Sequence, residues 1–155
     1  YHYYRFGIHI NMDKMFILKD QYGKVSTLCD FDQFRNFVES IPDDRWSSGS
    51  GDICLSNSQN GYYVSISKIK QKHRFIATSS QKAGEELYVY VSSQMYTALE
   101  EYYIGGELIK FPVEFFVEKE FIYNIVNNFM GRGSIDFSGN WVVLHEQEWL
   151  GLEDG

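Results

Sequence analysis

The sequence contains little proline, little cysteine and no long apolar run, and each absence narrows the class of protein. Two prolines in 155 residues argue against a proline-rich disordered linker. No stretch of eighteen apolar residues occurs, so there is no candidate transmembrane helix and we expect no membrane partner. Cys29 and Cys54 lack Cys-x-x-Cys spacing, which predicts buried, reduced thiols rather than a disulfide.

Basic residues are also scarce relative to acidic ones. The chain has 14 lysines and arginines against 21 aspartates and glutamates, which gives a formal net charge of −7. A nucleic-acid-binding protein needs a basic footprint, so this balance argues against a nucleic-acid partner. It suits an acidic protein that binds a basic partner. It suits equally a cytoplasmic protein whose acidity serves only solubility.

Sequence motifs of catalytic and metal sites are absent. The four histidines are scattered without metal-ligand spacing, and neither a Gly-x-Ser-x-Gly motif nor a phosphate-loop motif occurs. The glycine-rich segment 131–134 follows a predicted helix, whereas a phosphate loop precedes one so that free N–H groups face the anion. We therefore predict that the chain is not an enzyme and uses no metal, cofactor or small-molecule substrate.

The clearest periodic segment predicts an amphipathic helix in the C-terminal part of the chain. Its apolar residues form one wide stripe at helical period, which indicates a buried face. Glu118 and Glu120 would occupy the first turn, where carboxylates favour the positive end of the helix dipole. Gly131 is predicted as the left-handed residue that ends the helix. The stripe comprises Phe121, Ile122, Ile125, Val126, Phe129 and Met130.

A second helix is predicted to begin after Asp30. Asp30 and Gln33 have the spacing of a capping box, in which each side chain bonds a backbone N–H near the helix start. Pro42 is predicted to end this helix, because the residue before a proline disfavours helical geometry. Its buried face comprises Phe34, Phe37, Val38 and Ile41.

Between residues 52 and 91 the apolar period changes to two, which predicts an antiparallel meander with one face on the core. Tyr63, Tyr88 and Tyr90 are predicted to decorate the opposite face. Such an aromatic face is either covered by another element or offered to a partner. Two further strands are predicted on either side of the Gly-Gly pair at 105–106, which suits a tight primed turn.

These elements predict one α+β domain with a mostly antiparallel sheet of about six strands and two main helices packed on one face. We assign the domain to residues 12–155, since a natural start at Met12 or Met15 is plausible. Residues 1–11 are then an N-terminal extension or an addition foreign to the domain.

Residues 101–144 also carry a family resemblance. Their order is aromatic residues, Gly-Gly-Glu, Phe-Pro, a helix that ends in Phe-x-x-x-Gly, a loop and a tryptophan. This order resembles the immunity proteins of bacterial polymorphic toxin systems, specifically the family numbered first among them. The matching positions are packing positions, namely Tyr102, Tyr103, Gly105, Gly106, Glu107, Phe111, Pro112, Phe121, Phe129, Gly133 and Trp141.

The resemblance implies a cytoplasmic antitoxin of a contact-dependent growth inhibition system. Such a protein binds and blocks the C-terminal domain of a cognate secreted toxin by protein–protein contact. Toxins paired with this family are often nucleases or nucleic-acid deaminases, whose basic surfaces an acidic inhibitor can occupy. Two alternatives stay open: a small hydrolase or transferase with an unrecognised site, and a ligand-binding or scaffold module that uses the tyrosine face.

We predict the toxin-binding residues from acids that have aromatic neighbours and lie outside the apolar stripes. Charged groups steer association, and tryptophan and tyrosine are enriched at the centres of interfaces. The predicted contact residues are Asp43, Asp44, Trp46, Glu100, Glu101, Tyr103, Glu146, Glu148 and Trp149.

Overall fold

A computed structural model of the chain describes residues 15–69, 74–82, 85–144, 149 and 151–152, so the predicted extension 1–11 lies outside the described residues. Within these ranges the chain forms strands, two α-helices and two short 3-10 helices. In chain order they are β1 (Phe16–Lys19), β2 (Val25–Leu28), α1 (Phe31–Ser40), the first 3-10 helix (Asp43–Ser47), β3 (Ile53–Asn57), β4 (Tyr63–Ile69), β5 (Arg74–Ser80), β6 (Tyr88–Tyr90), β7 (Leu99–Ile104), β8 (Glu107–Pro112), the second 3-10 helix (Val113–Phe115), α2 (Lys119–Arg132) and β9 (Trp141–Val143).

Seven of the strands form one antiparallel sheet in the order β2-β1-β3-β4-β5-β6-β9. Strands β7 and β8 form a separate antiparallel hairpin. The predicted α+β fold, with a mostly antiparallel sheet and two main helices, is confirmed. The sheet has seven strands, one more than the approximate count from the sequence.

The sheet separates two apolar cores because successive side chains of a strand point to opposite faces. On β5, Phe75 and Ala77 belong to the larger core, which contains the buried residues of α1 and α2. Ile76, between them, belongs to the smaller core, which contains residues of the β7–β8 hairpin. The helices therefore cover one face of the sheet and the hairpin covers the other.

Helix α1 begins at the predicted cap. The Asp30 carboxylate accepts a hydrogen bond from the Gln33 backbone N–H at 2.9 Å, and the Gln33 side chain accepts one from the Cys29 N–H at 2.7 Å. The reciprocal bond thus reaches one residue further back than in a standard capping box. Cys29 and Cys54 are both free, as predicted, but Cys29 is exposed, so its predicted burial is wrong.

Helix α2 buries Ile122, Val126, Phe129 and Met130 of its predicted stripe, whereas Phe121 is exposed, so the predicted burial of that residue is wrong. The predicted end at Gly131 is wrong, because Gly131 continues the helix and Gly133 adopts the left-handed conformation with φ 79°. The Gly133 N–H donates to the Phe129 carbonyl at 2.7 Å, which closes the last turn. Because two glycines lie near the end of the helix, sequence spacing alone does not show which of them adopts the left-handed conformation that ends it.

Two of the three tyrosines face the helices rather than the opposite side of the sheet. Tyr88 stacks on Phe137 with ring centroids 4.1 Å apart, and Tyr90 contacts Trp141 edge-on at 5.4 Å. Val89, between them, lies in the core on the hairpin side. The predicted orientation of β6 is therefore wrong, because Phe137 in the loop before β9 and Trp141 at the start of β9 cover the tyrosines and give them an apolar environment.

The hairpin covers the face on which the sequence placed an aromatic surface. Tyr63 alternates with Val64, a residue of the helix-side core, so it lies on the predicted side. Burial is the main cause that raises the pKa of the Tyr63 hydroxyl, followed by the nearby Cys54 thiol. Of the two possibilities for this face, covering by another element is the one found.

The end of α2 is tied to the turn between β3 and β4 by two asparagine side chains. Asn57 is buried, and its amide donates to the Gly133 carbonyl at 2.8 Å while its carbonyl oxygen accepts from the Gln59 N–H. The exposed Asn60 donates to the same Gly133 carbonyl at 2.7 Å. These bonds satisfy a carbonyl at the helix end that has no partner inside the helix.

We expect the Asn57→Ala variant to lose about 2 kcal/mol of unfolding free energy, because it removes the buried bond to the Gly133 carbonyl and leaves the part-buried Gln59 N–H without its acceptor. Asn60→Ala is the matched control and should lose less than about 1 kcal/mol, since Asn60 is exposed to water. Urea unfolding followed by circular dichroism measures both. Equal losses in the two variants would contradict the assigned role of Asn57.

Candidate functional site

The outer face of the β7–β8 hairpin presents exposed apolar groups next to charged ones. In the hairpin register Tyr103 pairs with Leu108, and Glu101 pairs with Lys110. Tyr103 is 66 % exposed and Leu108 is 48 % exposed, which is high for a large apolar pair on a strand. An exposed apolar pair beside charges resembles the composition of a protein contact surface.

The first 3-10 helix, with Asp43 and Asp44, packs beside β4 and β7. The loop that follows it contacts the turn of the hairpin so closely that a side chain on Gly105 would overlap the Ser50 carbonyl. Two segments that are far apart in sequence are therefore neighbours in the fold. This arrangement brings the predicted contact residues Asp43 and Asp44 next to the strand that carries Glu101 and Tyr103.

Asp43 is held in place by an ion pair that spans two elements. Its carboxylate accepts from the Lys68 ammonium on β4 at 3.0 Å, and half of the aspartate side chain stays exposed. The Lys68 ammonium also lies 5.9 Å from the centroid of the Phe75 ring. Asp44 is exposed, and its backbone carbonyl accepts hydrogen bonds from the hydroxyls of Ser47 and Ser48.

Two predicted contact residues are core residues, so the expectation that they lie outside the core is wrong. Trp46 is 3 % exposed and contacts Phe75 edge-on, in the core on the helix side. Trp149 is 4 % exposed and contacts Phe111 and Phe115 in the core on the hairpin side. Both indoles have apolar environments that their acidic sequence neighbours do not reveal.

Glu100 is half-buried and shares the inner face of β7 with Tyr102. Burial is the main cause that raises the pKa of the Tyr102 hydroxyl, and the Glu100 carboxylate is the next. Glu100 therefore lies on the inner face of the hairpin rather than on its outer face. The predicted contacts Glu146 and Glu148 lie outside the described residues.

The predicted contact residues that the structure leaves exposed, on two neighbouring elements, are Asp43 and Asp44 on the first 3-10 helix and Glu101 and Tyr103 on β7. Leu108, the cross-strand partner of Tyr103, was missed by the sequence reasoning. Its exposure follows from strand alternation opposite Ile109, which packs inward, so the register of the hairpin could have identified it. We call these five residues the acidic-aromatic surface.

Two of the concavities among the described residues lie next to α2 and to the hairpin, and the sequence did not indicate them. One, of about 290 Å³, runs along α2 and is lined by residues that include Phe121, Asn128 and Trp141. The other, of about 240 Å³, lies between the hairpin and the sheet, next to the turn at Gly105. We call the second one the hairpin slot.

Within the described parts of the chain, no group of three or more histidine, cysteine, aspartate or glutamate side chains is arranged to hold a metal ion. No helix among the described residues is long and apolar enough to cross a lipid bilayer. Comparison of the chain with protein-family models, with curated proteins and with solved structures finds no match.

Proposed function

We propose that this protein is a cytoplasmic immunity protein that binds and inhibits a secreted bacterial toxin domain. The observation that carries the proposal is the acidic-aromatic surface, where the 3-10 helix that carries the exposed Asp43 and Asp44 packs beside the strand that carries the exposed Glu101 and Tyr103. An exposed tyrosine flanked by acids combines an apolar anchor with charges that attract a basic partner. The resemblance of residues 101–144 to immunity proteins supports the same function.

The charge of the chain supports a basic partner. A net charge of −7 attracts a cationic surface over distances up to the Debye length, about 8 Å at physiological ionic strength. Nucleases and nucleic-acid deaminases need cationic surfaces to hold their substrates. An acidic inhibitor that covers such a surface excludes the substrate, so inhibition requires no chemistry from the inhibitor. We therefore infer that the toxin is a nuclease or a nucleic-acid deaminase.

The first test identifies the partner and then asks whether the protein neutralises it. The tagged protein is used to capture partners from lysate of its source cells, and mass spectrometry identifies what survives a high-salt wash. The C-terminal domain of the retained protein is then expressed with and without this chain. Growth arrest that co-expression relieves would support the proposal, and arrest that persists despite complex formation would refute inhibition.

With the toxin domain available, we expect reversal of Asp44 and Glu101 to lysine to slow association about tenfold or more at low ionic strength. The dependence of the association rate on salt should also become weaker, because fewer attractive charges remain to be screened. Surface plasmon resonance over a range of salt concentrations measures both effects.

The control reverses two exposed acids elsewhere, Glu86 and Glu120, and changes the net charge by the same amount. Glu120 lies on α2, on the helix side of the sheet. If both double variants slow association equally, only net charge matters and the acidic-aromatic surface is not the contact region. A selective effect of the Asp44 and Glu101 reversals assigns the contact to this surface.

A further inference from the structure

The hairpin slot lies directly beside the acidic-aromatic surface. The sheet forms its floor, and the inner face of the hairpin forms its roof. Ser50 and Asp52, from the loop after the first 3-10 helix, and Glu107, from the start of β8, belong to its lining. A water occupies about 30 Å³ in the liquid, so a slot of about 240 Å³ has room for a whole side chain.

The floor of the slot consists of three hydroxyl side chains and one apolar residue, Ile76. Ser65 and Thr78 are direct cross-strand partners on β4 and β5, and Ser67 follows two residues along β4. Ser67 is only 6 % exposed, and its hydroxyl forms no hydrogen bond with any described residue. The hydroxyl oxygen is not among the fully enclosed, unpartnered polar atoms of the described residues, so it still faces the space of the slot and can bond an occupant there.

Two carboxylates give the slot a negative charge. Asp52 accepts a hydrogen bond from the Ser65 hydroxyl at 2.5 Å, which fixes its position at the edge of the floor. Neither Asp52 nor Glu107 forms an ion pair with a described residue, although both line the same cavity. Asp52 also contributes, after burial, to the raised pKa of the Cys54 thiol, whereas Lys19 acts in the opposite direction.

The roof of the slot is apolar. Ile104, Ile109 and Phe111 line it from the two strands of the hairpin. An occupant therefore needs an apolar stem for the roof and several hydrogen-bond donors with a positive charge for the floor and the acids. Arginine has these properties, because three methylene groups precede a planar guanidinium with five N–H donors that matches a carboxylate.

We propose that the hairpin slot receives an arginine side chain of the protein partner. The guanidinium would donate to the Asp52 carboxylate and the Ser67 hydroxyl, and the methylene stem would pack under Ile109. The slot and the acidic-aromatic surface meet at the hairpin turn, so one partner can occupy both. The identity of the partner rests on the proposed function, whereas the preference for arginine rests on the slot itself.

The test of the preference uses N-acetyl-L-arginine methyl ester as a probe, with amide chemical shifts recorded during a titration. We expect saturable shifts centred on Ser65, Ser67 and Thr78. N-acetyl-L-citrulline methyl ester is the matched neutral probe, and we expect it to bind at least about tenfold more weakly because it lacks the charge. Equal shifts with both probes, or shifts spread over all acidic surfaces, would overturn the proposal.

Asp52→Asn removes the charge and keeps an acceptor for the Ser65 hydroxyl, so the fold should be retained. We expect this variant to weaken binding of the arginine probe about tenfold. Asp136→Asn, at an exposed aspartate outside the slot, is the control and should bind the probe as the parent protein does. Equal weakening by both substitutions would show a general charge effect and refute the slot.

The probe experiment separates the two proposals. If the slot binds the arginine probe but captured proteins show no toxin activity, the arginine site stands and the immunity function fails. If a toxin domain is neutralised but Asp52→Asn leaves its affinity unchanged, the function stands and the arginine anchor fails. For a genuine anchor, we expect Asp52→Asn to weaken binding of the toxin domain about tenfold or more, mainly through faster dissociation.

Discussion

Replacement of Gly105 by alanine should lower the unfolding free energy by about 3 kcal/mol or more. Gly105 has φ 57°, a left-handed conformation that costs about 1–2 kcal/mol for any residue with a Cβ. The added methyl group would also overlap the backbone carbonyl of Ser50, which belongs to a loop that packs against the turn. A Cβ has a fixed position on the backbone, and the atoms that it would meet are backbone atoms of Ser50 and Gly49. No side-chain rotation can therefore relieve the overlap, and the loop must move.

Gly106→Ala is the control for the same turn. Gly106 has φ 83°, but a Cβ there meets no atom within 4 Å, so only the cost of the left-handed conformation applies. Thermal unfolding of both variants measures the difference. A Gly105 variant no less stable than the Gly106 variant would mean that the close contact between the turn at Gly105 and the loop at Ser50 does not stabilise the fold. The same contact fixes the 3-10 helix relative to the hairpin, and these two elements carry the acidic-aromatic surface.

Replacement of Phe129 by alanine should lower the unfolding free energy by about 3–5 kcal/mol. Phe129 is 1 % exposed, and its ring meets that of Phe16 edge-on with centroids 5.1 Å apart. This contact joins α2 to β1. Truncation removes the apolar area that α2 buries against the sheet and leaves a cavity, and both effects act in the same direction.

Phe121→Ala removes the same atoms from the same helix at a position that is 39 % exposed. We expect this variant to lose about 1 kcal/mol, because the ring is partly in water and its centroid lies 6.0 Å from that of Tyr90. Denaturant unfolding compares the two variants. Similar losses would show that the contact between α2 and β1 is not a main source of stability.

The regular elements of the fold follow from local chemistry, and this is why the sequence predicts them. The cap of α1 needs only Asp30 and Gln33, three positions apart, and the hairpin turn needs only Gly105 and Gly106. The ends of the elements are predicted less accurately where two residues could each end a helix. Gly131 and Gly133 can both end α2, and the Asn57 amide that bonds the Gly133 carbonyl comes from a distant turn.

The assignment of faces depended on tertiary contacts and was only partly predictable. Both faces of the sheet are covered, so alternation along β6 does not say which side meets the helices. Phe137 and Trp141 come from the last part of the chain and decide the orientation of Tyr88 and Tyr90. Sequence spacing cannot reveal a ring that arrives from so far away.

The sequence predicted the charged residues and the exposed tyrosine of the candidate site, but it did not predict the hairpin slot. Acidic residues beside aromatics drew attention to Asp44, Glu101 and Tyr103, which are exposed. The same rule also selected Trp46 and Trp149, because a tryptophan next to acids in sequence can still point into the core. The hairpin slot combines residues from several strands and a loop, so only the packing of the hairpin on the sheet creates it.

The three tryptophans are distributed between the two cores, so their fluorescence can report on each face of the sheet separately. Trp46 and Trp141 lie in the core beneath the helices, whereas Trp149 lies in the core beneath the hairpin. Indole emission shifts to longer wavelength when water reaches the ring, so each side of the sheet has its own fluorescent reporter. Detachment of the hairpin from the sheet would expose Trp149 to water while Trp46 and Trp141 stay buried. The emission of Trp149 alone would then shift, whereas unfolding of the whole domain would shift the emission of all three tryptophans.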